Sequence, residues 1–356
     1  MNTTLDLSEL DSKIGQLFMA GIPGKSLDSR TEALIRDYYL GGVILFSRNI
    51  EGPEQLAQLC QDLQDAAQKH QGVPLFMAVD QEGGRVARLR EPFTLFPGNE
   101  AIGKDDNPLE KANEFGLTTA KEMKLVGLNM DMAPVMDVQR VELEKHLMGR
   151  TFGEDPEKVG ELGGAIIESL QENGIMAVAK HFPGLGRAPL DPHVELPRID
   201  MDMKEIEAVN LPPFGSAIKR KVSSIMTSHA IYSALDPDRP ATFSPAVLAN
   251  LLREKMSFDG LIITDDLEMG AISKKWGVAE GASASFEAGA DILLICKEQN
   301  YVEESIKLIR GKLLKGEILL SRLHESNERI QKAKDEFLHP LKKLSLSKVK
   351  EYFKSA

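Results

Sequence analysis

Asp191 and His193 stand two positions apart at the end of the segment Lys180–His193, K-H-F-P-G-L-G-R-A-P-L-D-P-H. A carboxylate beside an imidazole can orient the ring and stabilise its protonated form. Such a pair can give a proton and take it back near neutral pH. Asp265 is a second candidate. It closes the apolar run Leu261–Asp265, and Asp266 follows it. A carboxylate there can act as a nucleophile. Other polar residues end other apolar runs. Asp80 opens D-Q-E-G-G-R-V-A-R, which holds Arg88, while Lys180 and His181 follow Ile175–Ala179 and His229 follows Ser224–Ser228. Arg150 lies just before Thr151-Phe152-Gly153. A carboxylate nucleophile with a separate proton donor is the chemistry these types support best. The plain alternatives are a solvated loop pair for Asp191 and His193, a helix cap for Asp265 and surface arginines for Arg88 and Arg150.

Two rivals fit less well. His181 and His193 could ligate zinc beside Asp191, but the chain has neither H-x-x-x-H nor H-E-x-x-H, and Lys180 adjoins His181. A serine hydrolase would need a G-x-S-x-G elbow, which is absent. No metal and no cofactor are expected.

The residues need a frame that brings them together. Eight apolar runs are candidate strands: 15–21, 42–46, 75–80, 128–135, 175–179, 224–228, 261–265 and 292–296. Near-continuous hydrophobicity suits parallel strands buried on both faces. Helical periodicity lies between them, as in 54–69 and 156–171, the latter with Asp155-Pro156 as cap and first residue. Eight strand–helix units predict an α/β fold, a (β/α)8 TIM-type barrel in a single domain. An open doubly wound sheet would call for G-x-G-x-x-G after the first strand, which is missing. The barrel is expected over 1–310, with a helical extension packed on it over 311–356. In such a barrel the strand ends above would share one rim.

Bulk properties narrow the partners. The 356-residue chain is 42% hydrophobic and 27% charged, as in a globular protein. Its net charge of −11 argues against nucleic acid as a partner. No apolar run approaches a membrane span, and residues 1–13 have no secretory pattern. Cys60 and Cys296 form no framework, so a reducing cytoplasm is expected. A small-molecule substrate and a monomer complete the expectation.

The motifs taken together resemble glycoside hydrolase family 3. They are K-H-F-P-G-x-G followed by D-x-H, V-D-Q-E-G-G-R-V, A-P-V-M-D-V, G-R-T-F-G-E-D-P and T-D-D-L-E-M. The likeness runs from about Ile14 to Lys297 and is greatest to the single-domain bacterial β-N-acetylglucosaminidases. These cytoplasmic enzymes release N-acetylglucosamine from 1,6-anhydro-muropeptides during cell-wall recycling. The resemblance implies Asp265 as nucleophile and Asp191 with His193 as the acid/base dyad. It implies Asp80, Arg88, Arg150, Lys180 and His181 as sugar contacts, and His229 as a recurrent histidine of the site. The implied reaction is retaining exo-hydrolysis through a glycosyl-aspartate. A β-glucosidase-like or phosphorolytic relative and a silent sugar-binding protein are the alternatives. The chain departs from the family at Leu185 and Arg187 and across 139–148, changes expected to act on the leaving-group side or on loop mobility and not on the nucleophile or dyad.

Overall fold

The computed structural model describes residues 7–139, 146–341 and 343–354. Eight parallel strands form one sheet: β1 Phe18–Gly21, β2 Gly42–Leu45, β3 Phe76–Val79, β4 Met130–Asp131, β5 Met176–Phe182, β6 Ser224–Thr227, β7 Leu261–Ile263 and β8 Leu293–Ile295. Each pairs with the next in sequence, and β8 pairs back onto β1. A parallel bridge from Ile263 to Ile292 closes the ring. All eight expected strands are present, and the fold is a (β/α)8 barrel.

The sequence explains the layers. Every residue of Phe76–Val79 is buried, because one face fills the barrel and the other meets helices. The helix Pro156–Glu172 begins as expected: Asp155 accepts the Glu157 N–H at 2.9 Å, with Pro156 at the first position. Its buried stripe is Val159, Leu162, Ile166 and Leu170, at helical spacing.

Three local expectations change. The first strand begins at Phe18, and Gly15 closes the helix Leu7–Gly15 instead. The fifth strand continues past Ala179 to Phe182. Its ladder persists because Lys180 bridges Val135 and Phe182 pairs with Thr227, across a register shift after Ala179. The prolines that suggested a loop begin to act only at Pro183. Finally, the alternative of Asp265 as a helix cap falls, because no helix starts there. The next helix is Gly270–Ser273, because the Asp266 carboxylate accepts the Glu268 and Cys296 N–H groups and holds a turn.

The chain after the barrel forms the helices Leu320–Leu338 and Leu346–Lys354. Arg322, Ser326 and Arg329 of the first reach the buried Asp291. Lys334, fully buried, donates to Gln16 Oε1 at 2.6 Å and to the Gly41 carbonyl at 3.0 Å near the N-terminal end of the barrel. Helix Gln299–Lys315 runs unbroken through residue 310. Among the described residues no helix is long and apolar enough to cross a membrane.

Candidate active site

A cavity of about 440 Å³ opens at the C-terminal mouth of the barrel. Eight of the nine candidate residues line it: Asp80, Arg88, Arg150, Lys180, His181, Asp191, His193 and Asp265. Strand ends deliver Asp80, Lys180, His181 and Asp265, and the loops that follow deliver the rest, as the barrel argument requires.

Its floor is an ion-pair chain. After β3 the backbone stays extended through Gln81–Gly83, which pairs with Val86–Ala87. Residues two apart on such a segment share a face, so Asp80 and Glu82 point the same way. Lys180 Nζ lies between them, 2.9 Å from Asp80 and 2.7 Å from Glu82. Arg150 grips Glu82 with two N–H groups, each at 2.8 Å. Arg88 donates to Asp80 at 3.0 Å, while its buried Nε has no partner among the described residues. Burial works against the charge on Asp80 and Glu82. The adjoining cations outweigh it and hold both carboxyls below their usual range. Beneath this floor Asp131 is fully buried, and burial raises its pKa well above the carboxylate norm. On the floor itself Arg88, Arg150 and Lys180 face Asp80 and Glu82.

One wall is set by a second aspartate. Asp137 Oδ2 lies 2.8 Å from His181 Nδ1, and its Oδ1 accepts the Leu185 N–H at 2.7 Å. The imidazole is thereby oriented, and the start of the following loop is tied to the same carboxylate. Leu185, a departure in the sequence, is buried and lines the cavity. Arg187, another departure, pairs with Glu205 instead.

Asp265 is half-buried at the far wall, its Oδ1 accepting the Asp266 N–H at 2.8 Å. Burial alone would raise its pKa. His181, His229, His193 and that N–H outweigh it, and the carboxyl is held below its ordinary value. Asp266, next in sequence, is pushed up to about 7, chiefly by burial. Two neighbouring carboxyls with opposite shifts mark which one is ready as an anion.

His229, expected as a recurrent histidine of the site and a candidate for substrate binding, is not among the residues lining the cavity. It is fully buried, with Nδ1 2.8 Å from Thr242 Oγ1 and Nε2 3.0 Å from the Asp266 carbonyl. Both nitrogens are engaged, and the second holds the carbonyl of Asp266, the residue whose own N–H donates to Asp265.

The Asp191–His193 loop differs in character. Asp191 Oδ1 accepts the His193 N–H at 2.9 Å and lies 2.7 Å from His193 Nδ1. His193 is 61% exposed at its side chain. The Pro192 and His193 carbonyls accept the Ala271 and Gly270 N–H groups at 3.1 and 3.0 Å. A Cβ on Gly270 would sit 2.4 Å from the Val194 carbonyl, so only glycine admits this approach. The loop thus rests over the cavity, with His193 and Asp265 in one space.

Sequence reasoning missed Glu82, Asp137 and His146. The first two lie inside motifs already quoted, and the Asp80–Glu82 spacing on an extended run was the available signal. His146 borders 140–145, the part of the departing segment that lies outside the described residues.

Comparison with known proteins places the chain in a family. The family model for the glycosyl hydrolase family 3 N-terminal domain matches residues 9–333. The chain belongs to glycosyl hydrolase family 3. A β-hexosaminidase of Tolumonas auensis is 39% identical over 284 residues, 79% of this chain and 83% of that protein. One from Pseudomonas aeruginosa is 36% identical, over 82% of this chain and 86% of the relative. The solved family 3 β-N-acetylglucosaminidase of Paenibacillus sp. str. FPU-7 superposes with a TM-score of 0.90 at 34% identity, covering 97% of this chain and 68% of that one. The β-N-acetylhexosaminidase of Beutenbergia cavernae gives 0.85 at 30% identity, covering 94% of this chain and 99% of that chain. This family 3 protein is a glycoside hydrolase, and its curated relatives are β-hexosaminidases.

Proposed function

We propose that this family 3 enzyme is a retaining exo-β-N-acetylglucosaminidase. Its substrate would be peptidoglycan-derived fragments of the N-acetylglucosaminyl-1,6-anhydro-N-acetylmuramic acid type. The observation that carries the reading is that Asp265 shares one cavity with the hydrogen-bonded Asp191–His193 dyad. In the first step the Asp265 carboxylate attacks the anomeric carbon. The bond to the leaving oxygen breaks as protonated His193 gives that oxygen its proton. In the second step water attacks the anomeric carbon, neutral His193 takes its proton, and the bond to Asp265 breaks. Asp191 holds the ring by Nδ1, which leaves Nε2 for both transfers.

The floor would bind the terminal sugar. Lys180 and Arg150 have N–H donors to spare beyond their ion pairs. Donors aimed at hydroxyl and acetamide oxygens, with Asp80 accepting from hydroxyls, suit a neutral amino sugar. Water is the better acceptor than phosphate. Arg187 is paired with Glu205, and Lys180 with Asp80 and Glu82, so neither cation is spare for an anion. We place the enzyme in the cytoplasm as a monomer, a reading supported by two buried, unpaired cysteines.

The test is turnover of a nitrophenyl β-N-acetylglucosaminide and of the matching β-glucoside, with the first-formed anomer followed by NMR. The reading requires hydrolysis of the first in clear preference, with the β-anomer appearing first. Preference for the glucoside, a dependence on added phosphate, or an α-anomer as first product would each overturn it.

A further inference from the structure

The helix Leu346–Lys354 lies beyond residues 9–333, the part of the chain that the family model matches. The reaction above gives it no work, yet its contacts lead back to the cavity. Val349 is fully buried, and Lys350 pairs with Glu54 of helix Pro53–His70 at 3.2 Å. Near the end of the helix the Phe353 ring meets the Phe93 ring edge-on, with centroids 4.6 Å apart. Tyr352 carries Lys121 Nζ over its ring and donates its hydroxyl to Glu122 Oε1 at 3.4 Å. That carboxylate is buried, and it also accepts the Thr94 N–H at 3.0 Å and the Thr94 hydroxyl at 2.8 Å. Two neighbouring side chains of one helix thus bear on Phe93 directly and on Thr94 through Glu122.

Phe93 and Thr94 belong to the segment that begins at Arg88. From 88 to 98 the backbone forms neither helix nor strand. With no ladder to hold it, such a segment is placed by its side-chain contacts. At its start the Arg88 and Leu89 N–H groups donate to Gln81 Oε1 at 2.9 and 3.0 Å. Further along, the buried Phe93 is the anchor, and Phe353 forms one side of its seat. Arg88, which lines the cavity and donates to Asp80, stands between these two fixed points. A displaced Phe93 would be felt at the guanidinium a few residues away, and small displacements of positioning groups are costly.

We propose that Phe353 is a positioning residue: by seating Phe93, the C-terminal helix holds the Arg88 segment where its guanidinium meets the sugar. The proposal rests on the sugar-binding role assigned to Arg88 above.

The test is KM and kcat for a nitrophenyl β-N-acetylglucosaminide in Phe353→Ala. KM should rise about fivefold with kcat within about twofold, the pattern of lost sugar binding. A smaller folded fraction lowers kcat and leaves KM alone, so instability cannot imitate the result. Should Phe353→Ala fail to fold, Phe353→Leu is read in its place, with a KM rise of about twofold or more. The control is Ile330→Ala, a buried residue of helix Leu320–Leu338, which packs on helix Leu7–Gly15 and on β7. It loosens the fold elsewhere and should leave KM unchanged. An unchanged KM in the Phe353 variant overturns the proposal, as does an equal rise in Ile330→Ala, which would mean general loosening. Wild-type enzyme inert towards the substrate would instead sink the assigned reaction, and this proposal with it. That result is read before any variant is made.

Discussion

The floor of the cavity and the loop above it hold charged groups by opposite means. On the floor Asp80, Glu82, Lys180 and Arg150 are buried or nearly so and bridge one another. Removing one leaves another charged and unpaired out of water. On the loop Asp191 and His193 form one pair, with side chains 36% and 61% exposed. Backbone bonds to Gly270 and Ala271, not ion pairs, keep that pair in place. The difference follows from the work proposed for each. Sugar-binding groups gain from rigidity. A residue that must protonate one molecule and deprotonate the next gains from access to solvent and freedom to move.

The contrast can be broken at four points. Glu82→Ala should have the largest effect on folding, about 3–5 kcal/mol, because Arg150 and Lys180 lose their shared partner in a buried place. Urea unfolding measures it, and a loss below about 1 kcal/mol would mean the floor is not the rigid part. His193→Ala should leave stability within about 0.5 kcal/mol, as for an exposed side chain. It should still cost a factor on the order of 10²–10⁴ in kcat/KM for a disaccharide. A nitrophenyl substrate should show a burst and then slow turnover, restored by azide as a glycosyl azide. Equal losses for both leaving groups and no effect of azide would make His193 a binding residue. Gly270→Ala should displace the loop and lower kcat/KM for a disaccharide by about tenfold to a hundredfold, through misplacement alone. Crystals of that variant with an unmoved loop would contradict the packing argument.

The smallest expected effect is on the pH dependence of stability. Asp80 and Glu82 have folded values below their unfolded ones. Their contribution is present above about pH 4 and is lost as pH falls through the folded values. Asp266 works in the other direction, because its folded value is raised to about 7. Between about pH 4 and that value the folded state holds the Asp266 proton more tightly than the unfolded chain does. This one group therefore makes stability decline as pH rises through that window. Asp266→Asn should flatten the decline, and unfolding curves across the window read it directly.

These contrasts also explain what was legible in the sequence. The eight strands could be read because burial on both faces writes continuous apolar runs. Asp265, Lys180 and His181 could be read because polar residues at the ends of such runs stand out. Glu82 offered only its two-residue spacing from Asp80, since its meaning depends on Lys180 from β5 and Arg150 from the loop after β4. Asp137 was hidden likewise, its partner His181 lying 44 residues away. His229 looked like its neighbours on the rim, yet it serves behind the wall, because Thr242 and the Asp266 carbonyl occupy both nitrogens. The extension of β5 to Phe182 was masked by Pro183, although the residue before a proline favours just such an extended backbone.

The central claim is that Asp265, not Asp266, carries the sugar between the two steps. Incubation with a 5-fluoro N-acetylglucosaminyl fluoride, followed by proteolysis and mass spectrometry, tests it most directly. The account predicts one glycosyl group per active enzyme, on Asp265, and no label on the Asp265→Ala variant. A label on Asp266, or full turnover by Asp265→Ala, would contradict it.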